Sequence, residues 1–294
     1  MDFFISSISF YNQAVFYLEY FVATITGFIL LYGFASFNMP PIQVGSIQLL
    51  GDFFLLQIFG FPVTSIVGTM WYLSALIGAL LILVPVTLKH HSLFLNVLGP
   101  FVILSGYGFM AFTYGHMGAI LEPLLGGIIH AGLLRAIIDI SLGYILYFNV
   151  EYVRKVNWSI CGQIALTFIE VFCWLCAIAL IVTTKQRGMI DFVIVLLFSI
   201  GILISFSETS FLHVIFKNKY FNWLGFFSLN IFLNHFYIAS LISKLTLNIT
   251  FQTALSVYIL GSLICALFNY LVVYYLKKLS IWARIFSLVI NRQV

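Results

Sequence analysis

A histidine in the middle of an apolar segment is the residue of this chain best suited to chemistry. His235 lies within Phe221–Ile238, FNWLGFFSLNIFLNHFYI. A neutral imidazole can remove a proton from a hydroxyl and return it to a leaving group. An ionisable side chain at membrane depth is unfavourable, so its presence favours a functional role. The competing interpretation is a structural histidine that hydrogen-bonds to a neighbouring helix, and the sequence leaves both open.

The residues that precede His235 predict a helix-packing surface. Spacings of three and four residues place four side chains on one stripe of a helix: Gly225, Ser228, Phe232 and His235. Small residues on such a stripe let a neighbouring helix approach closely. We therefore expect the stripe to face another helix, with the imidazole presented to the space between them.

A second candidate is an arginine inside another apolar segment. Arg135 and Asp139 are four residues apart, so on a helix they share a face and can pair. Burying either ion unpaired would cost several kcal/mol. One hypothesis is a structural ion pair that fixes helix packing. The other is that Arg135 binds an anionic group, such as a phosphate or a thioester oxygen.

Two aromatic residues open a further apolar segment. Trp71 and Tyr72 lie where an aromatic belt at the non-cytoplasmic interface is expected, so membrane anchoring explains them. Polar residues just before them lie on the same predicted side. Together they could cover a cavity over the bundle; these polar residues are Asp52, Gln57 and Thr64.

Composition then bounds the fold that must position these residues. Of 294 residues, 63% are hydrophobic and only 7% are charged, whereas a soluble domain carries about 25% charged residues. The chain is therefore expected to be an all-α, polytopic membrane protein. Its net charge of +4 is too small and scattered for nucleic-acid binding. The four cysteines read as buried apolar side chains, and no spacing typical of a metal site occurs.

Apolar runs of about 20 residues predict eight spans within one membrane domain that covers residues 1–294. The predicted spans are Ala14–Ala35, Ile66–Leu88, Leu93–Gly115, Leu124–Phe148, Ser159–Thr183, Met189–Phe206, Asn222–Lys244 and Phe251–Leu276. The stretch Gln48–Phe61 is short and flanked by prolines, which favours a re-entrant or interfacial helix; nine spans result if it crosses. The tail Leu279–Ile290 predicts an amphipathic interfacial helix.

Loop charges predict the orientation of these spans. One side receives nine of the 13 basic residues, namely Lys89, Arg154, Lys155, Lys217, Lys219, Lys277, Lys278, Arg284 and Arg292. The other side receives three, which are Lys185, Arg187 and Lys244, and Arg135 inside a span completes the 13. Basic loops stay in the cytoplasm, so we expect a multi-pass protein of the cell membrane with both termini cytoplasmic.

Three segments of the chain resemble motifs of one protein family. The run Gly225–Ile238 resembles the C-terminal signature of the acyltransferase family 3 membrane proteins, although Leu229 and Phe232 depart from its usual aromatic residues. The triplet Trp71–Tyr72–Leu73 is similar to the family's central motif, and the GDFFLLQIFGFP before it resembles a non-spanning stretch. Further matches are Ser228, Ile231, Leu233 and His235 in the signature and Arg135 and Gly143 in an earlier span.

This resemblance covers about residues 14–280 and implies an activity. Family members typically have ten spans and transfer acyl groups, often acetyl from acetyl-CoA, to hydroxyls of cell-surface sugars. By this resemblance His235 is the catalytic residue, and Arg135, Trp71 and Tyr72 contact substrate. It further implies acyl-CoA as a co-substrate instead of a bound cofactor, no metal, a glycan acceptor, and association with polysaccharide synthase or export proteins.

The chain departs from the family at its start. The family's essential basic residue and histidine lie in its first span, and an arginine opens its third; neither is found here. We therefore expect either a product that lacks the family's first two spans or a member without catalytic activity. Whether the chain is an enzyme stays open at this point. A lipid-linked glycan exporter or flippase, which would need a wide polar path instead of a reactive histidine, is the alternative from another class.

Overall fold

The described part of the chain is almost entirely helical. The structure is a computed structural model, and it describes residues 18–33, 42–59, 68, 70–184, 188–217, 219–244 and 250–278. Six described helices are long and apolar enough to cross a membrane: Trp71–Lys89, His91–Tyr114, Ala131–Lys155, Ile160–Thr183, Ile190–Ser207 and Phe251–Leu276. The predicted all-α class is confirmed for the described residues, and the six long apolar helices fit the predicted membrane bundle, whereas the count of eight spans stays a prediction.

Ten helices and one small hairpin occur in the described residues. The helices are α1 (Leu18–Gly33), α2 (Ile42–Phe53), α3 (Met70–Lys89), α4 (His91–Tyr114), α5 (Ala131–Lys155), α6 (Ile160–Thr183), α7 (Ile190–Ser207), α8 (Leu212–Phe216), α9 (Lys219–Lys244) and α10 (Phe251–Lys278). Two short antiparallel strands, β1 (Pro123–Leu124) and β2 (Ile129–His130), precede α5. With 12 residues, α2 is shorter than the roughly 20 that a crossing requires. The predicted C-terminal amphipathic helix lies outside the described residues.

A wider turn interrupts α4 near its start. Residues Phe94–Leu98 form a π-helical segment, and regular helix resumes at Gly99. Pro100 follows at once, and a proline inside a helix lacks an N–H and crowds the carbonyl four residues earlier. A π-bulge is a recognised way to absorb such a local mismatch without ending the helix.

The predicted start of the Leu124–Phe148 span is wrong. The helix begins only at Ala131, because the preceding residues form the β1–β2 hairpin. Gly126 and Gly127 have φ angles of 71° and 92°, a left-handed region in which glycine is favoured because it carries no Cβ. Apolarity alone does not separate this turn from the helix. The helix also runs on to Lys155, beyond the end of the apolar run.

The chain divides into two compact units. The first unit comprises 1–57, 62–70 and 223–294, and its described helices are α1, α2, most of α9, and α10. The second comprises 58–61 and 71–222, and it contains α3 to α8 with the hairpin. A single membrane domain over the whole chain stays a prediction.

Small residues form the core of the second unit. Ala75 and Ala79 of α3 pack against Leu133 and Ala136 of α5, together with Ile58. Close approach of helices through small side chains is the usual packing mode in membranes, where lipid is as apolar as leucine. The core of this unit is therefore built by backbone proximity between α3 and α5.

Polar contacts link the helices of the first unit. The Tyr20 hydroxyl of α1 donates to the backbone carbonyl of Asp52 in α2. The Gln57 amide donates to the Asp52 carboxylate, so both buried polar side chains find a partner. A Cβ on Gly45 of α2 would fall 2.4 Å from the Tyr32 ring of α1, which shows how closely the two helices pack.

Candidate functional site

The hydrogen bonds of His235 determine which of its nitrogens is available for chemistry. Its Nδ1 lies 2.8 Å from the carbonyl oxygen of Phe232 and 3.3 Å from that of Ile231. A carbonyl oxygen only accepts, so Nδ1 must carry the proton and donate it. In the neutral ring Nε2 then holds the lone pair. The helix therefore presents a half-buried imidazole as the tautomer that can act as a base at Nε2.

The stripe that contains His235 faces outward, contrary to the prediction. A Cβ on Gly225 would meet nothing within 4 Å, and the exposed Ser228 hydroxyl donates only to the Gly225 carbonyl at 2.6 Å. Phe232 is 36% exposed, and its ring lies 5.9 Å from the imidazole, centroid to centroid. At Gly225 and Ser228 the stripe is thus exposed and does not form the predicted helix-packing surface.

The opposite face of α9 is the one that packs, and it carries buried asparagines. Asn234 donates to the Asn230 carbonyl at 2.6 Å and accepts at Oδ1 from the Tyr237 hydroxyl and from Asn269 of α10. Asn269 in turn accepts from Thr26 of α1 at 3.3 Å. All four α9 and α10 side chains are fully buried. Side-chain hydrogen bonds of this kind join membrane helices, so this asparagine cluster ties α1, α9 and α10 together.

Asn230 differs from the other residues of this cluster in the hydrogen bonding of its side chain. It is fully buried, yet neither its Nδ2 nor its Oδ1 has a hydrogen-bond partner. An unsatisfied buried amide is unfavourable by about 1–3 kcal/mol. Its backbone carbonyl is engaged by Asn234, so only the side chain is left without a partner.

Arg135 forms the predicted ion pair and also holds a loop. Its Nε lies 3.4 Å from Oδ2 of Asp139, which confirms the pair, and the other carboxylate oxygen accepts from the Tyr107 hydroxyl at 2.8 Å. Its Nη1 donates to the Met117 carbonyl at 2.9 Å. The Met117 amide donates to Asp191 of α7 at 3.2 Å. The guanidinium therefore fixes the segment that follows α4, and binding of an anion by Arg135 stays a prediction.

Trp71 and Tyr72 lie side by side at the start of α3. Their rings meet edge to face, with centroids 5.9 Å apart. Trp71 packs on the alanine-rich core, and a Cβ on Gly132 of α5 would come 3.3 Å from its indole. Tyr72 is 44% exposed. Trp71 therefore has a packing role in the second unit, and substrate contact by either residue stays a prediction.

The predicted site residues do not form one described cluster. His235 belongs to the first unit, whereas Arg135, Trp71 and Tyr72 belong to the second. Thr64, expected near the aromatic pair, lies outside the described residues. Among the described residues, no group of three His, Cys, Asp or Glu side chains is placed to hold a metal ion.

Three polar residues have structural roles that no sequence motif predicts. Tyr107 and Asp191 complete the network around Arg135, and Asn269 completes the asparagine cluster. Each is a single polar residue within or at the end of an apolar run. That isolation is a usable signal, because a polar side chain in a membrane helix is expected to find a partner on another helix.

Comparison with known proteins finds no match: no family model, no curated protein and no solved structure is similar enough to this chain to count as one.

Proposed function

We propose that this protein is a membrane-bound O-acyltransferase. It would move an acyl group from acyl-CoA to a hydroxyl of a cell-surface polysaccharide. We take the group to be acetyl, because the family that the chain resembles often transfers acetyl. The observation that carries the proposal is the state of His235, whose Nδ1 is committed to the backbone carbonyls of its own helix. This leaves Nε2 as a base on a stripe whose Gly225 and Ser228 are exposed.

The proposed reaction uses His235 in both directions of proton transfer. Nε2 takes the proton of the sugar hydroxyl while the hydroxyl oxygen bonds to the thioester carbonyl carbon. The carbon–sulfur bond then breaks, and Nε2–H gives its proton to the departing thiolate. The carbonyls of Phe232 and Ile231 hold the ring in one orientation throughout, because they accept from Nδ1–H in both the neutral and the protonated imidazole. The acyl group ends on the sugar oxygen and CoA leaves as a free thiol.

The proposal includes the finer membrane topology. Eight spans with both termini in the cytoplasm place the basic loops on the side where acyl-CoA is found. In this arrangement Arg135, Trp71 and Tyr72 belong to the outer half of the bundle, on the side of the glycan acceptor. Polysaccharide synthase or export proteins are the proposed neighbours in the membrane.

Acetylation of surface polysaccharide in cells tests the proposal. Cells that express the full chain should carry acetyl esters on the polysaccharide, measured by proton NMR. Replacing His235 by Ala should reduce this signal by at least about a hundredfold, the typical contribution of a general base. His91→Ala is the matched control, since His91 bonds to Tyr144 in the other unit and should leave acetylation unchanged.

The same cells separate the enzyme from the exporter alternative. An exporter changes how much polysaccharide reaches the surface but not its ester content. Loss of surface polysaccharide with an unchanged ester fraction per sugar would therefore contradict acyl transfer. Full acetylation by the His235→Ala protein would remove His235 from the mechanism.

A further inference from the structure

The second unit carries an elongated apolar groove between α5 and α7. Its volume is about 660 Å³, and residues from Asp139 to Arg154 line one wall at helical spacing. These two residues are 15 positions apart, or about 22 Å along a helix at 1.5 Å per residue. The walls between them are chiefly apolar, with Leu146, Phe198 and Ile202 among their members. The shape and lining suit a single hydrocarbon chain.

The groove opens along an outward-facing flank of the unit. Tyr147 and Phe206, both part of its lining, are 68% and 66% exposed. In a membrane-spanning helix such a flank faces the bilayer. A molecule with a hydrocarbon chain can therefore enter the groove sideways from the lipid without passing through water.

A polar pocket adjoins the end of the groove at Arg154. Its volume is about 520 Å³, and Arg154 lines both cavities. Arg154 lies in the last turn of α5, beside a loop that charge distribution assigns to the cytoplasm. One pair of adjoining cavities thus offers an apolar part at membrane depth and a polar part at the interface.

Among the residues of the polar pocket, Ser210 gives the strongest indication that a ligand binds there. It is only 3% exposed, it lines the pocket, and its Oγ has no hydrogen-bond partner. A buried hydroxyl without a partner is unfavourable by about 1–3 kcal/mol, so an acceptor atom is expected there. His213 bonds to the Ser210 carbonyl at 3.1 Å and helps hold this segment in place.

Arg154 supplies a cation that lines the same pocket as this hydroxyl. One of its terminal nitrogens donates to Glu151 at 3.1 Å, and the other donates to the Phe206 carbonyl at 2.8 Å. The guanidinium has five N–H donors, so some of them remain for an anion. Its side chain is 43% exposed and forms ion pairs with Glu151 at 3.1 Å and with Glu208 at 3.7 Å. Both carboxylates line the cavities, so a phosphate would have to take the place of the longer Glu208 contact.

We propose that these adjoining cavities bind a membrane phospholipid with an anionic headgroup. One acyl chain lies along the α5–α7 groove, and phosphate oxygens accept from Arg154 and from the Ser210 hydroxyl. Anionic phospholipids are enriched in the cytoplasmic leaflet and are attracted by Arg and Lys at its surface. The site belongs to the second unit alone and does not depend on acyl transfer by His235.

Native mass spectrometry of the full chain tests this assignment. The protein is purified in mild detergent and titrated separately with phosphatidylglycerol and with phosphatidylcholine. We expect one tightly retained phosphatidylglycerol and about tenfold weaker binding of phosphatidylcholine, whose headgroup carries no net charge. Ser210→Ala should weaken phosphatidylglycerol binding about tenfold, because one charge-assisted hydrogen bond is lost.

A matched pair of glycines tests the groove itself. Gly143 lines the groove, and a Cβ there meets nothing within 4 Å, so Gly143→Leu fills the groove without distorting the helix. Gly108 of α4 is also exposed and unobstructed but does not line the groove, which makes Gly108→Leu the control. Gly143→Leu should reduce phosphatidylglycerol retention at least tenfold, and Gly108→Leu should leave it unchanged.

Three results would overturn the assignment. Equal retention of both lipids would show that the polar pocket does not discriminate between their headgroups. Unchanged phosphatidylglycerol binding by the Gly143→Leu protein would show that the acyl chain of the lipid does not lie in the groove. Displacement of bound phosphatidylglycerol by an equimolar amount of palmitoyl-CoA would reassign the cavities to acyl-CoA.

Discussion

Replacing Asn234 by Leu should destabilise the first unit, because two buried donors lose the acceptor that they share. Asn234 Oδ1 is the shared acceptor for the Tyr237 hydroxyl and the Asn269 amide, and all three side chains are fully buried. Leucine has a similar size and suits an apolar helix, so packing changes little. The loss then reports the polar contacts alone, because no water reaches the two donors.

The expected loss lies between two limits. Hydrogen bonds between membrane helices average about 0.6 kcal/mol each in double-mutant cycles. The Asn234–Asn269 bond joins two helices, and the same value taken for the Tyr237–Asn234 bond within α9 sets a lower limit of about 1.2 kcal/mol. Two buried donors left without an acceptor would cost up to about 3 kcal/mol each. We expect a decrease of about 2–3 kcal/mol in the free energy of unfolding, because the Tyr237 hydroxyl still has Cys265 as a hydrogen-bond partner and only the Asn269 amide is left without an acceptor. The measurement is unfolding in mixed micelles by dodecyl sulfate titration, followed by tryptophan fluorescence.

Asn149 provides a matched control for this measurement. Both Asn149 and Asn234 donate to the carbonyl four residues earlier, at 2.9 and 2.6 Å, but Asn149 is exposed. Asn149→Leu should therefore change stability by less than about 0.5 kcal/mol. Adding Asn269→Leu to Asn234→Leu should cost less than the sum of the single changes, because one orphaned donor is removed. Equal effects of Asn234→Leu and Asn149→Leu would refute the reasoning.

Three further predictions concern the second unit. Arg135→Leu frees the Met117 carbonyl, so hydrogen exchange in the segment after α4 should accelerate while exchange in α6 stays unchanged; equal protection of that segment would contradict the role of Arg135. Gly106→Ala places a Cβ 2.4 Å from an α5 side chain and should lower the free energy of unfolding by about 1–3 kcal/mol. A Cβ at Gly108 meets nothing within 4 Å, so Gly108→Ala should leave stability unchanged or raise it by up to about 1 kcal/mol in the same dodecyl sulfate titration. Cys161 is exposed, so the expectation that all four cysteines are buried is wrong at this position. It should react with a membrane-impermeant maleimide in inside-out vesicles only, and labelling in right-side-out vesicles would reverse the proposed orientation.

The sequence alone predicts helices that have clear boundaries and side-chain pairs that lie on the same helix. The span Ser159–Thr183 matches α6 within a residue, and the Arg135–Asp139 pair follows from an (i, i+4) spacing. Such features depend only on a helix period and an apolar run. They require no knowledge of which helices are neighbours.

Features that depend on tertiary neighbours were not predictable from the sequence. Both faces of α9 carry polar or small residues, so periodicity does not reveal that the asparagine face packs and the His235 face is open. The partners of Arg135 include a backbone carbonyl, at Met117, which leaves no trace in residue type. The two glycines of the hairpin have apolar neighbours, so hydropathy alone places them within a span.

Transfer of a labelled acetyl group tests the central claim most directly. The full chain is reconstituted in lipid vesicles with radiolabelled acetyl-CoA and purified surface polysaccharide, and label bound to polysaccharide is measured over time. The proposed mechanism predicts steady incorporation by the native protein and a decrease of at least about a hundredfold for His235→Ala. No incorporation by the native protein, or equal rates for the two proteins, would contradict it.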